Sequence, residues 1–188
     1  DVYKRQSVDG LYLGDYYVKE ISPSVGYLAD ETEHDLVCNY EGDLVAEVKR
    51  DCTSLEQVMK QPFQIIKAAN NGKTDADLLK GAGFTAYLES SLTKKADGNY
   101  EFASATPVVI GENGATEMFT DEKGYACSIA LPYGTYIVRE TTTPHNYTPV
   151  DDFTVRITEN NPNQPQTWRV LLDDEFEAKL KIIKQDDE

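Results

Sequence analysis

Long apolar runs are missing. No stretch approaches the roughly 20 residues a membrane-spanning helix needs, so insertion of this chain into a bilayer is not expected. No secretory leader is visible either. A fragment would lack both, so location stays open on this ground. Cysteine is scarce: Cys38, Cys52 and Cys127 are odd in number and lack metal-ligand spacing. They read as buried free thiols, with a Cys38–Cys52 pair as the alternative. His34 and His145 each stand alone, and His145 lies in the turn-rich run Thr-Pro-His-Asn. Positive charge is also short. The chain has 18 Lys and Arg against 33 Asp and Glu, a net charge of −15. Nucleic acid is excluded as a partner, because phosphates need basic counter-charges. An anionic membrane surface is excluded for the same reason. No GxSxG, HExxH, Walker or EF-hand pattern occurs, so neither enzymatic turnover, nor a cofactor, nor a metal is expected. Asp121-Glu122-Lys123-Gly124 and Asp151-Asp152 read as turn carboxylates rather than a calcium site.

What is present is repetition. Leu11-Tyr-Leu-Gly-Asp-Tyr-Tyr-Val-Lys-Glu20 and Leu131-Pro-Tyr-Gly-Thr-Tyr-Ile-Val-Arg-Glu140 align without a gap. Both contain Gly-x-Tyr-x-Val-x-Glu, and a tyrosine follows each glutamate by seven residues, at Tyr27 and Tyr147. Ile-Ile-Lys also occurs twice, at Ile65–Lys67 and Ile182–Lys184, 47 and 44 residues beyond the two glutamates. Parts of a tandem module are therefore expected. Residues 7–61 would be the C-terminal part of a first copy, 62–175 a complete copy, and 176–188 the start of a third. Asp1 to Gln6, DVYKRQ, match the conceptual translation of a transposase mosaic-end adapter used in sequencing libraries. They are set aside as a read-end scar, and the natural chain is expected to continue upstream of Ser7.

Short β-rich runs fill the complete copy: Phe63–Lys67, Phe84–Leu88, Tyr125–Leu131, Tyr136–Glu140, Phe153–Ile157 and Trp168–Leu172. Turn pairs such as Asn71-Gly72, Asp97-Gly98, Asn113-Gly114 and Lys123-Gly124 separate them. That punctuation predicts an all-β sandwich or barrel, with at most one helical turn over Asp75–Gly81. Strand side chains alternate faces, so Tyr136, Val138 and Glu140 share one face and Arg139 takes the other. Lys67 shares a face with Ile65. A lysine and a glutamate on core faces are costly unless neutralised or hydrogen-bonded.

Thr120-Asp-Glu-Lys-Gly124, Leu131 to Glu140, Pro144 and Asn146-Tyr147 resemble the strand-turn-strand core of Cna B-type domains. These prealbumin-like (Ig-like) β-sandwich modules, also called SpaA-type, occur in Gram-positive pilins and surface adhesins. Ile65-Ile-Lys67 followed by Leu79-Lys-Gly-Ala-Gly-Phe84 resembles the family's lysine strand and the strand after it. The resemblance covers essentially everything after Gln6. It implies tandem modules on the cell-wall-attached, extracellular surface of a Gram-positive bacterium, acting as a structural stalk. Partners would be neighbouring modules of the same chain, and host protein or glycan through a tip domain outside this sequence. The alternatives are an adhesin module that itself binds host protein or glycan, and an accessory β-domain of an extracellular enzyme.

The resemblance also implies a self-made crosslink. In such domains a lysine amine attacks the side-chain carbonyl of an Asn or Asp on the last strand, assisted by a buried glutamic acid. By position Lys67 is the nucleophile and Glu140 the acid. The last strand offers Asp173 as acceptor, with Asp174 second, and a slip of one residue would put Leu172 in that place. Burial disfavours the charged forms of all three groups. A neutral amine is a nucleophile, a protonated acid can shuttle protons, and held contact supplies orientation. The reaction would happen once per molecule. The alternative is a plain buried Lys67–Glu140 ion pair. The first copy has Glu20 in the matching position but no Asn or Asp near the acceptor slot, so no bond is expected there. Lys184 would serve the third copy.

Overall fold

The structure is a computed structural model and describes residues 6–73 and 77–176. Asp1–Arg5 of the adapter-like segment, part of the expected Asp75–Gly81 turn, Ile182–Lys184 and nearly all of the expected third copy lie outside the described residues. The chain divides into two compact units, with the boundary between Val58 and Met59.

Among the described residues the first unit holds four strands: β1 (Gly14–Val18), β2 (Tyr27–Leu28), β3 (His34–Cys38) and β4 (Gln57–Val58). β1 pairs antiparallel with β3, Tyr16 opposite Leu36, and β2 pairs with β4, Tyr27 opposite Val58. Many apolar side chains of this unit are exposed, among them Leu11, Tyr17, Ile21 and Val25. Tyr17 of the repeated motif is thus a surface residue and not part of a core.

The second unit opens with β5 (Lys60–Gln61), β6 (Gln64–Asn70) and β7 (Gly83–Leu88). It continues through β8 (Thr93–Lys94), β9 (Tyr100–Glu101), β10 (Glu117–Phe119), β11 (Tyr125–Cys127) and β12 (Leu131–Pro132). It closes with β13 (Gly134–Thr142), β14 (Phe153–Ile157) and β15 (Arg169–Asp174). Short 3-10 turns at Glu89–Ser91 and Glu112–Gly114 are the only helical elements among the described residues.

One sheet runs β10-β7-β13-β14, and the other β11-β6-β15. Their inner faces share one core. Ile65 comes from β6, Phe84 and Ala86 from β7, Tyr136 and Val138 from β13, Val155 and Ile157 from β14, all essentially inaccessible. Alternating burial along a two-sheet stack is the signature of a sandwich. Arg139 points away, its guanidinium over the Phe102 ring and its Nε 3.2 Å from Asp152. In the smaller sheet β6 pairs antiparallel with β11 but parallel with β15. The first long strand and the last therefore lie side by side and run the same way.

Two local departures have physical causes. Alternation predicts one strand over Tyr125–Leu131, but the chain forms two. At Ser128 the side-chain oxygen accepts from Phe63 N and donates to Ile129 O, so the chain leaves β6 and then pairs with β5. That pairing places Lys60 and Gln61 with the second unit. The cysteines are free, but Cys52 is exposed and Cys38 and Cys127 are half-buried. Cys52 lies in the irregular segment between β3 and β4, which offers it no core.

Candidate functional site: a buried Lys-Glu-Asp cluster

Lys67 sits mid-strand in β6, on the core face between Ile65 and Ala69. Its backbone is locked from both sides. Its N–H donates to Gly124 O at 2.7 Å, and its carbonyl accepts from Leu79 N at 2.9 Å. Gly124 closes the Asp121–Gly124 turn at φ +64, a region that disfavours side chains. A Cβ there would also collide with the Lys67 carbonyl oxygen. The turn is shaped by Asp121, whose Oδ1 accepts from Lys123 N and Tyr125 N. This carboxylate serves the turn itself.

Inside the core, Lys67 Nζ donates to Glu140 Oε2 at 2.7 Å and to Asp173 Oδ1. All three side chains are fully inaccessible. The Phe84 ring lies 5.6 Å from Nζ and covers the cluster with its face. Glu140 projects from β13 beside Val138, and its Oε2 also accepts from Val150 N at 3.0 Å. Asp173 projects inward because β15 runs parallel to β6, with Leu171 opposite Lys67 and Asp173 opposite Ala69. Leu172 faces out, 49% exposed. Asp174 also faces out, accepting from Asn70 Nδ2 at 2.7 Å. The structure thus brings together Lys67, Glu140 and Asp173, and leaves Asp174 at the surface.

Glu140 Oε1 and Asp173 Oδ2 are buried without a hydrogen-bond partner. An ammonium with two carboxylates would leave a net negative charge in an apolar core, which is expensive. One more proton makes the cluster neutral. Burial, aided by the Glu140 charge and opposed by the Lys67 ammonium, raises the Asp173 carboxyl to about 6. The arrangement presents an amine in contact with a carboxyl that is easily protonated, and a second carboxyl touching the same nitrogen.

The first unit repeats the surroundings of the acid. Glu20 Oε2 accepts from Asp30 N at 2.7 Å, ten residues on, as Glu140 Oε2 does from Val150 N. Tyr16 OH donates to Tyr12 O and Tyr136 OH to Pro132 O. Tyr27 N donates to Ser24 O and Tyr147 N to Pro144 O. Tyr27 pairs with Val58 and Tyr147 with Glu175, so the position matching Asp173 is Glu56, which is exposed. Asp30 accepts from Ser54, Thr32 and His34, and these hydrogen bonds hold its carboxyl far below the ordinary carboxylate range. His34 therefore has a partner the sequence did not reveal. His145 is an exposed turn residue.

Two stacked β-sheets with a buried lysine, glutamate and aspartate between them define a prealbumin-like fold. The chain belongs to the SpaA family of prealbumin-like fold domains, whose family model matches residues 62–169. It is similar to the TIE protein of Bacillus anthracis at 26% identity and a TM-score of 0.54, covering 87% of this chain and 25% of that one. The chain thus spans about a quarter of that relative's length. The minor pilin GBS52 of Streptococcus agalactiae is 16% identical with a TM-score of 0.49, over 95% of this chain and 66% of that one. The C-terminal domain of the shaft pilin SpaA from Lactobacillus rhamnosus GG is 21% identical with a TM-score of 0.40, over 63% and 99%. No curated protein sequence matches. No described helix is long and apolar enough to cross a membrane.

Proposed function

We propose that this chain is a stalk segment of a cell-wall-attached surface protein or pilin, and that its second unit is clamped by a Lys67–Asp173 isopeptide bond. The observation that carries the reading is the sealed contact of Lys67 Nζ with both Glu140 and Asp173. In the neutral cluster, a proton passes from the lysine to the carboxylates. The free amine attacks the Asp173 side-chain carbonyl carbon. Glu140, anchored by Val150 N–H, takes the amine proton and delivers one to the departing hydroxyl. One C–N bond forms, one C–O bond breaks, and one water leaves. Solvent exclusion and fixed contact supply the acceleration. The reaction is a single self-maturation step, with no external substrate.

Residues 62–175 act here as the complete module. Residues 7–61 supply a second copy of the strands that carry the acid, without the crosslink. The partners proposed are neighbouring modules and, through a tip domain, host protein or glycan. A second reading, an adhesin module that binds its ligand directly, is favoured by Trp168. Its ring is 58% exposed and lies 6.0 Å from that of Tyr125.

The test is the intact mass of the chain beside its Lys67→Ala and Glu140→Ala variants. The reading expects a wild type one water lighter than its sequence, and both variants at full mass. A wild type at full mass would leave a buried ion cluster, and the crosslinked stalk would have to be abandoned.

A further inference from the structure

A cleft of about 590 Å³ opens where the segment after β14 crosses the start of β15. Its wall is fixed by the chain itself. Asn161 N donates to Lys60 O, Gln166 N to Pro62 O, and Gln61 Nε2 to Gln164 O at 3.2 Å. Gln64 Nε2 reaches Gln166 O at 2.8 Å, and Gln166 Nε2 reaches Arg156 O at 2.6 Å. These bonds consume amide N–H groups and backbone oxygens. They leave the Gln61 and Gln166 side-chain oxygens and the Thr158 and Thr167 hydroxyls for the cleft. Pro165 is the single apolar residue in the described lining.

Arg169 stands in this cleft. It is the outermost of the inward-facing residues of β15, in line with Leu171 and Asp173, and is half-buried. Its guanidinium lies 5.7 Å from the Phe153 ring centroid and has no carboxylate partner among the described residues. Arg50 and Arg139, by contrast, are paired with Glu41 and Asp152. Glu159 also lines the cleft, but its Oε2 accepts from Asn161 Nδ2 at 3.1 Å. In a chain of net charge −15, an uncommitted arginine is a local exception to a field that repels anions. A guanidinium offers a planar fork that matches a carboxylate. The amide oxygens and hydroxyls around it suit a ligand rich in hydroxyl groups.

We propose that this cleft binds an acidic saccharide, its carboxylate held by the Arg169 guanidinium and its hydroxyls by Gln61, Gln166, Thr158 and Thr167. The site adds a ligand to the stalk reading and does not depend on the Lys67 bond. Neutral sugars lack the carboxylate. Apolar peptides find no side-chain pocket in this lining.

The test titrates the full chain with glucuronic acid, with glucose, and with an N-acetylated tripeptide bearing a free C-terminus, following amide chemical shifts. Glucuronic acid is expected to shift the amides of residues 158–169 and to weaken as salt is raised, while glucose is expected to bind at least about tenfold more weakly. Arg169→Gln should weaken glucuronic acid at least about tenfold, and Arg169→Lys should keep the charge but lose most of the gain from the fork. Unchanged thermal melting of the lysine variant guards against a folding defect. Equal binding of glucose and glucuronic acid, or glucuronic acid indifferent to both variants, would overturn the site. Tighter binding of the tripeptide would overturn its assignment to a saccharide. The mass of the same sample reports the crosslink, so the two proposals fail separately.

Discussion

Glu20 and Glu140 end the same sequence motif, and each accepts a hydrogen bond from the backbone N–H ten residues on. Around Glu140 a lysine and an aspartate close in, and nothing of the cluster touches solvent. Glu20 accepts from the Asp30 N–H, the Asp30 carboxylate is held in turn by Ser54, Thr32 and His34, and the position matching Asp173 holds an exposed Glu56. The Gly-x-Tyr-x-Val-x-Glu strand and its following turn are therefore enough to orient an acid. They are not enough to surround it with an amine and a second carboxyl. That step needs β6 and β15 side by side, one bringing an amine and the other a carboxyl.

Removing Lys67 should erase the contrast most completely. In Lys67→Ala, Glu140 and Asp173 lose their counter-charge, which costs about 3–5 kcal/mol for a buried pair broken on one side. Where the proposed bond has formed and the lysine is already joined to Asp173, the loss is instead that of a crosslink over the 106-residue separation, about 4.7 kcal/mol on the chain-entropy account. Calorimetry should show the second unit melting far below wild type, and its mass should match the unreacted sequence. Gly124→Ala strikes the same unit less severely. The new Cβ meets the Lys67 carbonyl at a left-handed φ, with an expected loss of about 1–3 kcal/mol. Mass spectrometry after refolding should show slowed or incomplete water loss, and normal maturation in this variant would mean that the turn does not position the lysine.

Acidity sharpens the comparison further. Asp173 folds with its carboxyl raised to about 6 from an ordinary 3.8. Before the bond forms, its contribution to stability is complete below the ordinary value and is lost as pH rises through about 6. In the proposed reaction the neutral cluster is also the reactive one. Refolding at roughly pH 5 should therefore give faster water loss than at roughly pH 8, either side of that titration. Asp30 behaves oppositely. Its depressed carboxyl stabilises the first unit above the ordinary value, and that contribution is lost as pH falls below it. The smallest effect is expected from Glu20→Ala. One hydrogen bond disappears, worth about 1 kcal/mol. Hydrogen exchange at the Asp30 amide should quicken while the mass deficit of the second unit stays unchanged.

Much of this arrangement was legible from alternation alone. Tyr136, Val138 and Glu140 face the core together, and Lys67 lies with Ile65, because a strand turns its side chains by halves. The orientation of Asp173 was less secure. Neighbouring Leu172 and Asp174 fit a strand equally well, and the parallel register against β6 decides among them. The Val150 N–H that anchors Glu140 carries no side-chain signature, and nothing in a sequence marks it. Gly124 was visible as a turn glycine, but not its contact with the Lys67 carbonyl. The break at Ser128 was hidden because a hydroxyl replaces a ladder bond without disturbing hydrophobicity. The exposure of Leu11, Tyr17, Ile21 and Val25 in the first unit was also hidden, since pattern alone does not say which faces are covered.

Parallel neighbours have opposite consequences for a chain from those of a hairpin. The backbone enters β6 just after β5, and the last described strand of the second unit, β15, runs to the far end of the same pair of strands. A load drawn through the proposed bond would run along β6 to Lys67, cross to Asp173, and depart within one residue of the strand's end. Everything between is outside the loaded path. If that intervening chain were released, it would contribute on the order of 350 Å of slack at about 3.3–3.6 Å per residue. With the bond in place the unit has almost no reserve of contour length. Its end-to-end reach would then be set by a single strand, about 23 Å for the seven residues of β6.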